Sequence, residues 1–372
     1  MNGGTSSLAA STAGVNPLVA GWAQQAVLTS ARWTATMTIL GGVSLVVAML
    51  ALRFGAEDIA LQDMVRILSQ ALWEGETGAE GSDVSRVILL QVRLPRVLLG
   101  FLVGACLAAV GVGLQALLRN PLADPYVLGI SSGATFGAAV ATLLGLGTAF
   151  YAISAIPLFA MGGGLISMLV VYRIAASYGR LPVHTLLLAG VILNAIFSAL
   201  VMFITSIMDP TRSFGMMQWL MGTLTAPTYQ ALAVLTAYLA IGGVVLFRQA
   251  RPLNLLTFGE ESAQSLGVDV EKVKKTIFFV SSLLTGAVVS FSGMIGFVGM
   301  VIPHAVRMVV GPDHRLLFPA SALLGGSYLV AADTVGRTLL APAEIPVGII
   351  TAIAGGPFFI YLLLHRRSRV WA

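Results

Sequence analysis

Residues 93–148 carry the pattern that decides the fold. Arg93-Leu94-Pro95-Arg96 opens an apolar run, Arg119-Asn120-Pro121-Leu122-Ala123-Asp124-Pro125 interrupts it, and Gly129-Ile130-Ser131-Ser132-Gly133 opens a second run ending near Thr148. Each run, coiled as a helix rising ~1.5 Å per residue, is long enough to cross the ~30 Å hydrocarbon core of a bilayer. In hydrocarbon every backbone amide needs an internal partner, so two such runs around a short polar turn predict a helical hairpin. Arg93 and Arg96 then lie on the far side of the membrane from the turn.

The rest of the 372-residue chain has the same character. Hydrophobic residues make up 57% and charged residues 10%, with a mean hydropathy of +0.91, which excludes an ordinary soluble domain. The apolar runs predict an all-α polytopic membrane protein of about ten transmembrane helices. They fall near 36–53, 94–117, 126–147, 150–172, 185–207, 229–247, 276–293, 295–311, 317–336 and 347–364. Only Gly293 to Gly296 separate the seventh from the eighth, which read as two helices joined by a tight turn. Residues 1–31 are rich in Gly, Ser, Thr and Ala and have no basic residue, so the charged start of a signal peptide is missing. They read as a disordered cytoplasmic leader, and residues 32–372 as a single transmembrane domain.

Lysine and arginine collect in cytoplasmic loops, which sets the orientation. Arg173 and Arg180, then Arg248 and Arg251, then Lys272, Lys274 and Lys275, then Arg366, Arg367 and Arg369 all fall on one side. The opposite side holds Glu57, Asp58, Asp63, Glu74, Glu76, Glu80 and Asp83, with Arg66, Arg86, Arg93 and Arg96 among them. An even number of helices places both termini in the cytoplasm. The net charge of +5 follows from these loops, without the basic stripe of a nucleic-acid binder. Cys106, the single cysteine, sits in an apolar helix and offers neither a disulfide nor a thiol metal site.

None of the three lysines follows a glycine, so the Gly-Lys-Ser/Thr phosphate loop of an ATPase is missing. If transport is driven by ATP, another protein brings the nucleotide site and this chain offers it a docking surface. The longest inner loop contains a candidate at 257–268, where Glu260 and Glu261 start a short helix, Ser262, Ala263 and Leu266 continue it, and Gly267 stops it. Such a helix fits a partner-facing element or an ordinary amphipathic surface helix.

Seven separated phrases resemble the FecCD-type permease subunits of type II ABC importers, which carry iron chelates, heme and cobalamin. They are Arg93-Leu94-Pro95-Arg96; Gln115-Ala116-Leu117 with Asn120-Pro121-Leu122-Ala123; Leu186-Leu187-Leu188-Ala189-Gly190; Gly259-Glu260 with Ala263 and Leu266-Gly267; Gly296-Phe297-Val298-Gly299 running to Ile302-Pro303-His304; Asp313-His314-Arg315; and Glu344-Ile345-Pro346-Val347-Gly348. The resemblance implies a homodimer of ten-helix subunits around one pathway in the bacterial inner membrane. Two ATPase subunits would dock below it and a periplasmic binding protein above. ATP and Mg²⁺ would bind the ATPase, with no cofactor or metal on this subunit. The same resemblance implies that Arg93, Arg96 and Arg337 meet acidic groups of the binding protein. It implies a cytoplasmic gate at Asn120, Pro121 and Leu122 with Val183 and His184, and an ATPase-coupling face formed by Glu260, Glu261, Ser262, Ala263, Leu266 and Gly267. Val183 and His184 depart from the small hydroxyl residues of a cobalamin permease, which counts against cobalamin.

The remaining features allow both bland and functional readings. Arg337 follows Asp333 by one helical turn, the spacing of an intrahelical ion pair. Gly129, Gly133 and Gly137 repeat every fourth residue, as in a helix-packing face, and the hydrolase-like Gly-x-Ser-x-Gly spelling there lacks its strand–turn–helix context. Met202, Met208, Met216, Met217 and Met221 cluster near the outer end of the fifth helix, and with soft thioethers they favour heme as the transported ligand. An ion-coupled secondary transporter would need a buried carboxylate relay, and Asp333 alone lies well inside a predicted helix. A membrane hydrolase would need a motif such as His-Glu-x-x-His, which the sequence lacks. Asp124, Asn194 and Arg307 are polar residues at or inside the membrane boundary to which the sequence assigns no role.

Overall fold

In the computed structural model, residues 28–55, 59–73, 84–146, 155–176 and 180–370 are described, with side chains through residue 361 and at 364. The leader up to residue 27, the acids Glu57, Asp58, Glu74, Glu76, Glu80 and Asp83, and the side chains of Arg366, Arg367 and Arg369 lie outside the described residues. Among the described residues, seven helices are long and apolar enough to span a membrane. They are α1 (Ser30–Arg53), α3 (Val84–Leu117), α5 (Ala155–Ala175), α6 (Val183–Ile207), α8 (Tyr229–Leu256), α10 (Val270–Ser292) and α12 (His314–Thr338). Three shorter apolar helices are α4 (Ile130–Leu143), α11 (Val298–Val310) and α13 (Val347–Val370). Three further short helices are α2 (Leu61–Trp73), α7 (Pro210–Leu220) and α9 (Glu260–Ser265).

Helix α3 is the hub, with α12 lying along it and α8, α10 and α11 packed around it. No hydrophobic effect drives helix against helix in lipid, so close approach through small residues holds the bundle. At the α3–α12 crossing, a Cβ added to Gly104 would come 2.2 Å from the Gly325 carbonyl oxygen. The α4–α5 pair is as tight, since a Cβ on Gly137 would sit 2.0 Å from the Phe159 oxygen and one on Gly133 2.5 Å from Ser167 Cβ. Gly129 plays a different part from its two successors. Its φ of 76° is a left-handed conformation that suits glycine, and it joins a 3₁₀ turn at Pro125–Leu128 to α4. The outer faces stay apolar and exposed, as at Val191, Ile192 and Ile196 on α6 and at Val234, Ile241 and Val244 on α8, which suits contact with lipid.

Side-chain contacts sort the helix ends into two groups. At one end Arg32 at the start of α1 donates to the Val310 carbonyl closing α11, and Asn254 of α8 donates to Asp313, which caps α12. The Leu181 amide before α6 donates to Glu271 near the start of α10 at the same end. At the opposite end Arg93 holds the carbonyls closing α1, and the Thr223 amide donates to Ser292 at the end of α10. Helices α1, α6, α10 and α12 thus start at the end where α8 and α11 finish, and Arg180, Arg251, Lys272, Lys274 and Lys275 share that end with Arg119.

Several boundaries differ from the sequence expectation for identifiable reasons. Helix α1 starts at Ser30 rather than 36 because the Thr29 hydroxyl caps it by accepting from the Arg32 amide. Helix α3 starts ten residues early and runs through a π-helical stretch at Ile88–Arg93, because Arg93, a boundary residue along the chain, is accommodated by the carbonyls closing α1. Asp269 caps α10 at Val270, so its charged first turns extend beyond the apolar run. The expected helix 126–147 is broken at Gly129, and helices α2 and α7, both too short to span, were not among the expected ten.

Candidate functional site

At the end opposite the lysines, the three arginines expected at a docking surface point inward instead. Arg93 is 4% exposed and donates to the Leu52 and Arg53 carbonyls at 2.9 and 2.8 Å, satisfying acceptors that the end of α1 leaves unpaired. Arg96 donates to Asp333 through Nε and Nη2, the latter at 2.9 Å, and through Nη1 to Glu344 at 2.9 Å. Arg337 pairs with Asp333 at 3.1 Å and donates to the Ala51 carbonyl at 3.2 Å. The Asp333 and Arg337 side chains are only 5% and 6% exposed, whereas the Glu344 side chain is 54% exposed. Two cations and two anions therefore form a neutral cluster with Glu344 as its rim. An incoming carboxylate reaches Arg96 by displacing Glu344, and it does not reach Arg93 or Arg337 without rearrangement.

Near the Thr223–Ser292 contact lies an open, mostly apolar cleft of about 390 Å³ lined by Tyr126, Met221, Met294, Ile349 and Ile353, among others. The Tyr126 hydroxyl accepts the Ile295 amide, so the 3₁₀ turn after the first hairpin bend meets the irregular backbone between α10 and α11. Non-helical backbone at membrane depth is tolerated where protein covers it or where it lines a cavity. The five methionines do not converge here. Met202 and Met217 are 73% and 52% exposed, Met216 is buried, and only Met221 faces the cleft, joined by Met294, which the sequence reading passed over.

The basic end holds the remaining expected residues. Asn120 accepts the Leu122 amide through Oδ1 and shapes the turn that carries Pro121. Asp124 caps the 3₁₀ turn through the Tyr126 amide, and burial pushes its carboxyl up to about 6. Leu122 is exposed, as is His184, while Val183 packs on the core. The link between the two stretches is backbone packing, since a Cβ on Gly190 of α6 would come 2.6 Å from the Val127 carbonyl oxygen. Asn194 is exposed on α6.

The expected coupling helix is the six-residue α9, flanked by Gly259 at φ 108° and Gly267 at φ 84°. Ala263 is fully buried against this chain and Glu260 pairs with Lys274, so both anchor the helix rather than face outward. Glu261, Ser262, Leu266 and Gly267 remain on its open face, and Phe258, 74% exposed, adds an apolar group that the sequence reading missed.

The fold and these sites define a multi-pass membrane permease subunit with an open apolar cleft and a short, surface-lying helix at its basic end. The family model of the FecCD transport family matches residues 43–365. The chain is 46% identical over 288 residues to the cobalamin import system permease protein of Halobacterium salinarum, covering 77% of this chain and 76% of the relative. It is 40% identical over 307 residues to the hemin transport system permease protein of Yersinia pestis, covering 81% and 89%. Its structure superimposes on an inward-facing metal-chelate type ABC transporter with a TM-score of 0.75 at 30% identity, covering 89% of this chain and 99% of the other. The chain belongs to the FecCD transport family.

Proposed function

We propose that this chain is the membrane permease of an ATP-driven importer that moves a metal tetrapyrrole inward, heme being the cargo tested first. The family match along most of the chain carries the importer reading, and the relatives named for hemin and cobalamin, at 40% and 46% identity against 35% and 34% for those named for iron chelatin and molybdate, support the cargo. Both molecules are broad, amphipathic metal macrocycles. A mostly apolar cleft without a strong ligand set suits such a cargo, because a pathway must release what it carries. Two copies would enclose the pathway in the inner membrane, with the lysine-bearing end and both termini in the cytoplasm. Two ATPase subunits would dock on the open face of α9, and a periplasmic binding protein on the Glu344–Arg96 end. Asn120, Pro121 and Leu122 with Val183 and His184 would form the inner gate.

Reconstitution with the ATPase and binding protein encoded beside it tests the proposal. Proteoliposomes are offered heme, cobalamin and a ferric siderophore on the binding protein, with and without ATP. ATP-dependent accumulation of heme or cobalamin supports the reading and names the cargo. Accumulation of the siderophore alone removes the tetrapyrrole assignment, and uptake driven by an ion gradient without the ATPase removes the importer.

A further inference from the structure

Four segments, at Arg119, Leu181, Glu260 and Glu271 to Lys274, meet at the basic end through one run of charges. Arg119, in the turn after α3, places Nη2 3.7 Å from Glu260 Oε1 at the start of α9. Glu260 accepts from Lys274 Nζ at 2.7 Å through its other oxygen. Lys274 also donates to Glu271 Oε1 at 3.2 Å, and Glu271 Oε2 accepts the Leu181 amide at 2.8 Å. Leu181 lies two residues before Val183. The Lys274 side chain is 9% exposed, against 38% for Glu260, 28% for Glu271 and 54% for Arg119. A buried ammonium therefore sits at the centre of a chain that is open at its α9 end.

The arrangement exceeds what is needed to fasten α9. A helix of six residues does not persist alone, but the burial of Ala263 and the Glu260–Lys274 pair already anchor it. Glu271 extends the connection to the backbone before α6, and Arg119 extends it to the 119–122 turn. If α9 shifts and takes Glu260 with it, Lys274 is left buried with one partner fewer. Uncompensated buried charge is costly, so Lys274, and with it α10 and the Glu271-held backbone before α6, follows Glu260, while the exposed Arg119 contact adds a weaker tie to the turn.

We propose that Lys274, with Glu260, Glu271 and Arg119, is a positioning relay that transmits movement of α9 to the 119–122 turn and to the start of α6. The inference rests on the reading of α9 as the surface that meets the ATPase. It assigns Lys274, Glu271 and Arg119 a part in coupling hydrolysis to passage, without contact with either nucleotide or cargo.

The test uses the complete transporter in proteoliposomes, with heme and cobalamin as probes and with ATP hydrolysis and uptake measured on the same samples. Lys274→Met should assemble and hydrolyse ATP, with uptake per ATP reduced roughly tenfold, and Lys274→Arg should restore most of the ratio. Glu271→Gln keeps an acceptor for the Leu181 amide but weakens the pull on Lys274, so it should lose part of the ratio. If Lys274→Met fails to assemble, Glu271→Gln and Arg119→Gln decide the matter. The relay is overturned if the assembled variants keep the wild-type uptake per ATP, or if hydrolysis and uptake fall in parallel, as a purely structural role would give. A wild-type complex without ATP-driven uptake instead overturns the importer reading.

Discussion

Asp333→Asn isolates the charge balance at the end opposite the lysines. The carboxylate serves two arginines, with Arg96 Nη2 at 2.9 Å and Arg337 Nε at 3.1 Å, and its side chain is 5% exposed. Asparagine keeps the shape and one acceptor oxygen but removes the charge. The cluster then holds two guanidinium groups against the single, largely exposed carboxylate of Glu344. Removing one partner of a buried pair costs about 3–5 kcal/mol, because the remaining charge stays desolvated. A chain of this length loses structure with an entropy of roughly 0.7–0.8 kcal/mol per degree, so melting should fall by roughly 5 °C. Thermal unfolding in detergent, followed by the monodisperse fraction on size exclusion, measures it. The double variant Asp333→Asn/Arg337→Gln restores neutrality and should recover more than half of the loss, since the remaining cation keeps Glu344. The reasoning is refuted if the single variant melts within about 1 °C of wild type, or if the double variant loses the sum of two independent penalties.

Three further outcomes follow from the geometry. Glu344→Gln removes the carboxylate that competes for Arg96 Nη1, so an acidic binding protein should associate about threefold more tightly at low salt and with a steeper salt dependence in surface-binding kinetics; unchanged affinity would detach Arg96 from docking. Gly137→Ala places a methyl where the Phe159 oxygen lies 2.0 Å away, so α4 and α5 must separate, at a cost of about 1–3 kcal/mol, and unaltered melting would contradict the close packing. Asp124 has a folded pKa of about 6, above its ordinary 3.8, so the folded state holds the proton more tightly. Its contribution is fully present below about pH 4, lost as pH rises through about 6, and level beyond; Asp124→Asn, which keeps the cap to Tyr126, should flatten the stability curve across that window, and an unchanged curve would place the titration elsewhere.

The membrane class and the ten apolar helices were legible along the chain because bilayer thickness imposes a length that hydropathy reads directly. The Asp333–Arg337 pair was legible too, since four residues make one helical turn. The break at Gly129 was not, because residues 126–147 are apolar on both sides of it and only the approach of α6 at Gly190 requires the left-handed turn. Helix α2 escaped because an amphipathic helix too short to span leaves no hydropathy maximum. The open face of α9 was half legible. Its acids and glycines announce a short helix, but which acid faces outward depends on Lys274, on a different helix.

Composition and motif order settle the solvent this protein folds in, its apolar helices and, through its spaced phrases, its family. Those properties depend on local composition and on the order of motifs. Tertiary structure alone decided that Arg93, Arg96 and Arg337 turn inward, that the methionines scatter rather than converge, and that Arg119, Glu260, Lys274, Glu271 and Leu181 form one connected run. A charge becomes buried, exposed or shared according to which neighbours packing brings within a few ångströms of it, and those neighbours are up to 286 residues away, as Ala51 is from Arg337.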